Sequence, residues 1–495
     1  MAMQENAAIP GREPMSRVDT SWLRMERANN LMMITGVLVL ETPLTIERLR
    51  KVIADRWLSY PRFRQRAVDG ATGAIWEDDP ELDLSWHVRL SALPGRAGKR
   101  ELEQFVSELA STPLDKNRPM WTFHLVEGYL GGCAVVARVH HCYADGIALV
   151  EVMLSLTDIT ANGRKGSRSK RVRLEEDGEP GPPGLGAIGR YARMGERLVG
   201  KAMTMGANLW RDPSLATMLV KEGGDIAREL VHVLALAEDP PTALKGPLSG
   251  IKRVSWADRI ALDEVKSIGR AYGCTVNDVL IASAAGALRG HLRDRGEPID
   301  GVTLRTTVPV NLRPPGHATK LGNQFGLVFL DLPVGEDNPV RRLERITESM
   351  EALKGSRQAL MTYGLLGALG AVPNDILQFA LDLFSSKASA VATNVPGPQM
   401  PRYMGGQKMT EVMVWVPQTG SVGVGLSILS YDGGVHFGLI ADSHLIPDPD
   451  DVIGRFRPEL DKLLYLAMLS NWDDPVRAWD AELLHARLLE THPAA

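Results

Sequence analysis

Two adjacent histidines, His140 and His141, are followed by Asp145 and Gly146 in the run His-His-Cys-Tyr-Ala-Asp-Gly. An imidazole is half neutral near physiological pH and can take a proton from an alcohol as that alcohol attacks a carbonyl. The run follows an apolar stretch, Cys133 to Val139, and precedes a helical pattern from Ile147. A histidine at a strand end, beside a turn closed by glycine, is well placed as a general base. The competing reading is a buried strand end with two satisfied histidines. Histidine is scarce, 11 in 495 residues, which favours the chemical reading.

Successive strand residues point to opposite faces, so the two imidazoles do not line one cleft while the strand continues. His141 is the expected base and His140 its structural neighbour. Asp145 lies too close in sequence to pair with His141 without a tightly folded loop. A structural ion pair is the better expectation, with Arg313 of Pro-Val-Asn-Leu-Arg-Pro as its cation. Gly146 removes a side chain where the backbone must turn or a ligand must pass.

Other patterns carry less on their own. Thr275 or Asn277 can cap a helix beginning near Val276, and an Asn277 amide could instead donate to a carbonyl oxygen as it gains charge. Asn394-Val395-Pro396-Gly397-Pro398 reads as a turn after a strand, and Gly322-Asn323-Gln324-Phe325-Gly326 as a turn or the start of a strand. Gly184 to Gly189 matches GxGxxG, but it follows a charged, proline-rich stretch rather than a strand, so a nucleotide site is not expected. Cys142 is adjacent in sequence to His141, and such neighbours rarely meet as nucleophile and base.

The elements that must position these residues alternate. Strands are expected over Leu31–Leu40, Ala134–His140, Thr303–Val310, Leu327–Leu332, Met413–Val416, Val424–Ser430 and Val435–Ile440. Helices are expected over Glu101–Leu109, Ile147–Leu156, Lys266–Tyr272, Val276–Leu292, Val340–Leu353 and Val452–Leu466, with Thr45 capping another that carries Ile46, Leu49, Ile53 and Trp57 on one face. A chain of 495 residues, 44% hydrophobic and 23% charged, exceeds a single core. The division expected is 1–160, a linker and helical crossover over 161–250, a second domain over 251–475, and a tail over 476–495. Together they form an α/β protein of two similar domains. The linker contains a basic run from Arg164 to Arg173 that could meet anionic lipid.

A net charge of −4 gives no global attraction for nucleic acid. Three separated cysteines form neither a metal pattern nor a disulfide framework, so a cytoplasmic setting is expected. No secretory signal and no span of about 18 apolar residues is visible. The apolar stretches Met203–Leu219 and Leu360–Phe384 are candidate docking or tunnel-lining segments, although ordinary core helices would look the same.

Taken together, the motifs resemble the bacterial wax ester synthase/acyl-CoA:diacylglycerol acyltransferase family, within the chloramphenicol-acetyltransferase-like superfamily. HHxxxDG alone is shared with condensation domains of peptide synthetases. The further matches are Asn277-Asp278, Pro309 to Pro314, Gly322-Asn323, Asn394 to Pro398, the late strands ending at Asp442, Asp19 with Trp22, and Asp83 to Val88. The family's Pro-Leu-Trp is here Pro119-Met120-Trp121.

The resemblance implies two acetyltransferase-like domains with a tunnel between them. It implies an enzyme transferring a long-chain acyl group from acyl-CoA to diacylglycerol or a long-chain alcohol, without an acyl-enzyme, metal or cofactor. His141 would be the base, His140, Asp145 and Gly146 would complete the motif, and Asn277 would assist. Pro119, Trp121, Asp278, Asn394 and Gly397 would contact substrate. The expected setting is the inner face of the membrane or a lipid inclusion, as a monomer or homodimer. A condensation-type enzyme using carrier-bound thioesters and a non-catalytic lipid-binding protein are the alternatives.

Overall fold

The computed structural model describes residues 11–70, 73–163, 232–233, 235–313, 321–469, 477–480 and 482–483. The linker from residue 164, the GxGxxG at 184–189 and the docking candidate at 203–219 lie outside them.

Two seven-stranded sheets organise the α/β fold. The first runs, in spatial order, Val88–Ala92, Trp121–Glu127, Cys133–His140, Met33–Leu40, Gln407–Trp415, Tyr403–Met404 and Thr157–Asp158. The second has Ile260–Ala261, Gly434–Asp442, Val424–Tyr431, Ala390–Pro396, Leu304–Asn311 and Phe325–Leu332 in order, with Lys252–Trp256 also paired to Gly434–Asp442. The expected strand at Met413–Val416 is the end of Gln407–Trp415, which pairs antiparallel with Met33–Leu40. The C-terminal half therefore contributes strands to the N-terminal sheet, which a division into consecutive domains does not convey. A small sheet of Arg12–Pro14, Gly73–Asp78 and Gln65–Gly70 stands apart.

The central strand Cys133–His140 is buried along its whole length. Cys133, Val135, Ala137 and Val139 join the largest apolar core. Ala134 and Val136 face a second cluster with Leu102 and Val106 of the helix Lys99–Ala110. Burial on both faces explains the continuous apolar run and contributes roughly 1.5–3 kcal/mol for each valine side chain. Arg138, on the same face as Ala134 and Val136, donates to Thr122 Oγ1 and to the carbonyls of Leu109 and Thr112. It thereby satisfies acceptors at the end of that helix.

The capping signals at Thr45 and Thr275 read correctly. Thr45 Oγ1 accepts from Arg48 N at 3.3 Å and starts the helix Ile46–Val52, which continues as a π turn, Ile53–Trp57. Thr275 and Asp278 form a reciprocal capping box at the head of Val276–Asp294. Asp145 caps Gly146–Ser155 by accepting from Ala148 N at 3.0 Å.

Candidate active site

The strand carrying the motif ends at His140, and the two imidazoles part there. His140 turns away from the cleft. Its Nδ1 accepts from Cys142 N at 3.2 Å, so the proton sits on Nε2, which lies 3.2 Å from Glu26 Oε2. Burial pushes the Glu26 carboxyl up, but His140 and Lys116 outweigh it and hold the group at about 2. Glu26 is thus an anion fixing one histidine tautomer, with Lys116 Nζ 2.9 Å from its other oxygen.

His141 turns the other way. Its ring borders a cavity of about 1300 Å³, measured out to its open mouth. The ring stacks on Trp22 with centroids 4.0 Å apart, and Phe325 lies at 5.6 Å. Only 3% of the residue is exposed. Burial pushes its pKa down to about 4, against the weaker upward pull of the Asp145 charge. The imidazole is therefore neutral throughout the physiological range and can accept a proton.

Segment 322–324 from the other half of the chain lies along the motif turn. Gly322 N donates to Tyr143 O at 3.2 Å, Asn323 Nδ2 to His141 O at 2.9 Å, and Gln324 N to Asp145 Oδ2 at 2.9 Å. The Tyr143 hydroxyl accepts from Met120 N and donates to Gln65 O, bracing the turn from behind. Arg313 forms the expected ion pair with Asp145, and both side chains are buried. Arg313 also donates to Gly322 O. Asp145 therefore does not relay to His141; it holds the turn through a helix cap, a main-chain donor and a cation.

Gly146 borders this cavity and also a second one of about 870 Å³. The second lies between Leu38, Val139, Leu149, Met153, Met409 and Leu429 and is almost wholly apolar. A β-carbon at Gly146 would meet nothing within 4 Å, so the position is open where the two spaces adjoin. Val395 and Val416 also border both. The first cavity is mixed, with Thr307, Asn311, Thr362 and Asn394 among Leu365, Leu381 and Phe384.

The remaining expected residues divide. Asn394 borders the first cavity, and its Nδ2 donates to Asn277 Oδ1 at 2.8 Å. Asn277 therefore stands one residue back, with its own Nδ2 3.9 Å from Met350 Sδ. Gly397 borders the second cavity, where a β-carbon would lie 2.4 Å from Ser430 O. Asp278 does not reach either space, because its carboxylate accepts from Thr275 N at 2.9 Å. Pro119 and Trp121 border neither cavity, and both are buried. Trp121 stacks on His87 at 4.1 Å and donates from Nε1 to Phe63 O. Its indole is consumed by packing, and the segment supports the motif through the Met120 backbone. No local spacing links Trp22, Glu26 or Asn323 to the histidines, and only the fold brings them to the motif.

The buried His141 ring thus borders one of two cavities that share Gly146, Val395 and Val416 as lining, on a pair of seven-stranded α/β sheets. The wax ester synthase/diacylglycerol acyltransferase catalytic domain matches residues 15–280, and the C-terminal domain of the same group matches 321–464. The chain belongs to that family. A Mycobacterium tuberculosis protein named as a probable diacylglycerol O-acyltransferase is 28% identical over 393 residues, 78% of this chain and 80% of its own length. In fold, the chain is similar to the wax ester synthase/diacylglycerol acyltransferase of Marinobacter aquaeolei VT8, with TM-score 0.62, 22% identity and coverage of 92% and 100% of the two chains. It is also similar to the first condensation domain of the calcium-dependent antibiotic synthetase, with TM-score 0.56, 18% identity and coverage of 96% and 99%.

Proposed function

We propose that this enzyme transfers a long-chain acyl group from acyl-CoA to the hydroxyl of diacylglycerol or a long-chain alcohol, with His141 as general base. The observation that carries the reading is the neutral His141 ring on the wall of a cavity that adjoins, at Gly146, a second and apolar one. The acceptor hydroxyl gives its proton to the imidazole while its oxygen attacks the thioester carbonyl. The tetrahedral intermediate then collapses, the carbon–sulfur bond breaks, and the departing CoA sulfur takes the proton from the imidazolium. No acyl-enzyme forms and acyl-CoA is the only co-substrate. A base so placed contributes roughly a hundredfold to ten-thousandfold.

The first cavity, with its threonines and asparagines, suits the reacting groups, and the apolar one suits a hydrocarbon chain. Among the described residues no helix is long and apolar enough to cross a membrane. The acceptors are lipids, so the enzyme meets them at a surface: the cytoplasmic face of the membrane or a lipid inclusion. The helices Gln358–Leu369 and Asn374–Ser385, within the apolar stretch seen in the sequence, wall the first cavity with Leu365, Leu381 and Phe384. Phe379, 71% exposed on the second helix, is a point of contact with lipid.

The test is thiol release from palmitoyl-CoA with diacylglycerol or hexadecanol, beside the same acceptors with a pantetheinylated carrier loaded with palmitate. Release from the CoA ester is the expected result. Activity with the carrier alone would move the enzyme to the condensation type, and activity with neither would leave a lipid-binding protein.

A further inference from the structure

The backbone of His141 is held by a residue that is itself held from a third place. Asn323 Nδ2 donates to His141 O at 2.9 Å and to Asp19 Oδ1 at 2.8 Å, and Asn323 N donates to the same Asp19 oxygen at 3.0 Å. Asp19 is buried, as is Asn323. The second Asp19 oxygen accepts from Ser16 Oγ at 2.7 Å. Asp19 sits on the helix Arg17–Met25, which also carries Trp22, the ring stacked on His141. Glu26, the partner of His140, is the residue that ends this helix.

One short helix thus touches the histidine pair in three ways: through Trp22 on the ring of His141, through Glu26 on the ring of His140, and through Asp19 and Asn323 on the main chain. Gly322 makes the approach possible. Its φ is +105°, in the region that favours glycine, and a β-carbon there would lie 3.4 Å from Asp19 Oδ2.

We infer that Asp19 and Asn323 are positioning residues for the general base, a latch that sets the main chain of His141 only when the two halves of the enzyme are engaged. Asn323 belongs to the C-terminal half, whereas Asp19 and His141 belong to the N-terminal half. The amide is the only group in this set that offers donors to both acceptors, and its orientation is fixed by a carboxylate that cannot donate when ionised. Release of Asp19 frees the Asn323 amide to rotate, and the His141 carbonyl loses its donor. A displacement of the imidazole by a fraction of an ångström then slows proton transfer without altering the cavity that holds the acyl-CoA.

This inference rests on His141 being the base, so His141→Ala is assayed in parallel. Asp19→Ala, Asp19→Asn and Asn323→Ala are compared for kcat, KM for palmitoyl-CoA and melting temperature, with rates expressed per folded molecule. The expected result is a kcat at least tenfold lower in both alanine variants, with KM for acyl-CoA within twofold. Asp19→Asn, which keeps an acceptor oxygen for the Asn323 amide, stays within about threefold of the parent. Lower melting temperatures with unchanged kcat would reduce the latch to a structural contact and overturn the inference, as would Asp19→Asn being as slow as Asp19→Ala. Should neither alanine variant fold, Asn323→Ser decides: its shorter hydroxyl can donate to only one of the two acceptors, so a lowered kcat is expected and a parental kcat overturns the inference. An active His141→Ala would instead remove the general base itself.

Discussion

The buried pair Asp145–Arg313 joins the motif turn to the far half of the chain, and its removal has a calculable cost. The two side chains are 4% and 1% exposed. Removing one partner of such a pair leaves an uncompensated buried charge, at about 3–5 kcal/mol. Asp145→Ala also removes the helix cap on Ala148, worth about 1 kcal/mol, and the acceptor for Gln324 N. The expected loss is about 4–6 kcal/mol. At roughly 2 cal/mol/K of unfolding entropy per residue, a chain of this length loses about 1 °C for each kcal/mol, so the melting temperature falls by about 4–6 °C. Asp145→Asn keeps the cap and loses the charge, and Arg313→Met leaves the carboxylate alone. The double variant, with both charges gone, should be more stable than the sum of the single losses implies, by about 2–3 kcal/mol. The turn also ends at the base, so Asp145→Ala should lower kcat by about a hundredfold. Denaturant unfolding of the parent and the four variants, with kcat measured on each, checks this. Strictly additive losses, or an Asp145→Ala midpoint equal to the parent, would refute the role of the Asp145–Arg313 pair in joining the halves.

Three further outcomes follow from the same geometry. His141 titrates near 4 in the fold and near 6.5 when unfolded, so between those values the unfolded chain binds the extra proton. Its contribution to stability is complete above pH 6.5 and is lost as pH falls towards 4, by about 3 kcal/mol in all. The matching kinetic result is an acid limb of kcat/KM well below pH 6.5, and a limb at 6.5 would show that the ring is hydrated. Trp22→Ala should raise that limb by admitting water to the His141 face, while costing about 3–5 kcal/mol of stability; a pH profile superimposable on the parent's would discount the stacking. Gly146→Val should narrow the place where the two cavities adjoin, with little effect on the melting temperature. Turnover of palmitoyl-CoA should then fall at least tenfold more than that of butyryl-CoA, and equal effects on both would separate the apolar cavity from the acyl chain.

Much of this site was legible in the sequence because its signals are local. The strand and its period of two separated His141 from His140. The distance of Asp145 from His141 favoured an outside cation, and Arg313 is that cation. What was not legible depends on contacts between distant segments. Trp22 lies 119 positions from the ring it stacks on, and Asn323 lies 182 from the carbonyl it holds. Gly322-Asn323 reads locally as a turn, and nothing in its neighbours shows that it pairs with the motif. Substrate contact by Trp121 is implied only by the family resemblance, and its surroundings are equally non-local: Phe63, His87 and Trp57 pack around it. The strand Gln407–Trp415 has an ordinary strand pattern, and only the sheet order reveals that it serves the other half.

The most direct measurement is the rate of thiol release from palmitoyl-CoA by His141→Ala, with diacylglycerol or hexadecanol as acceptor and the circular dichroism and melting curve recorded on the same preparation. The expected result is a folded protein slowed by about a hundredfold to ten-thousandfold. A folded variant that forms ester at the parental rate would contradict the assignment of the base.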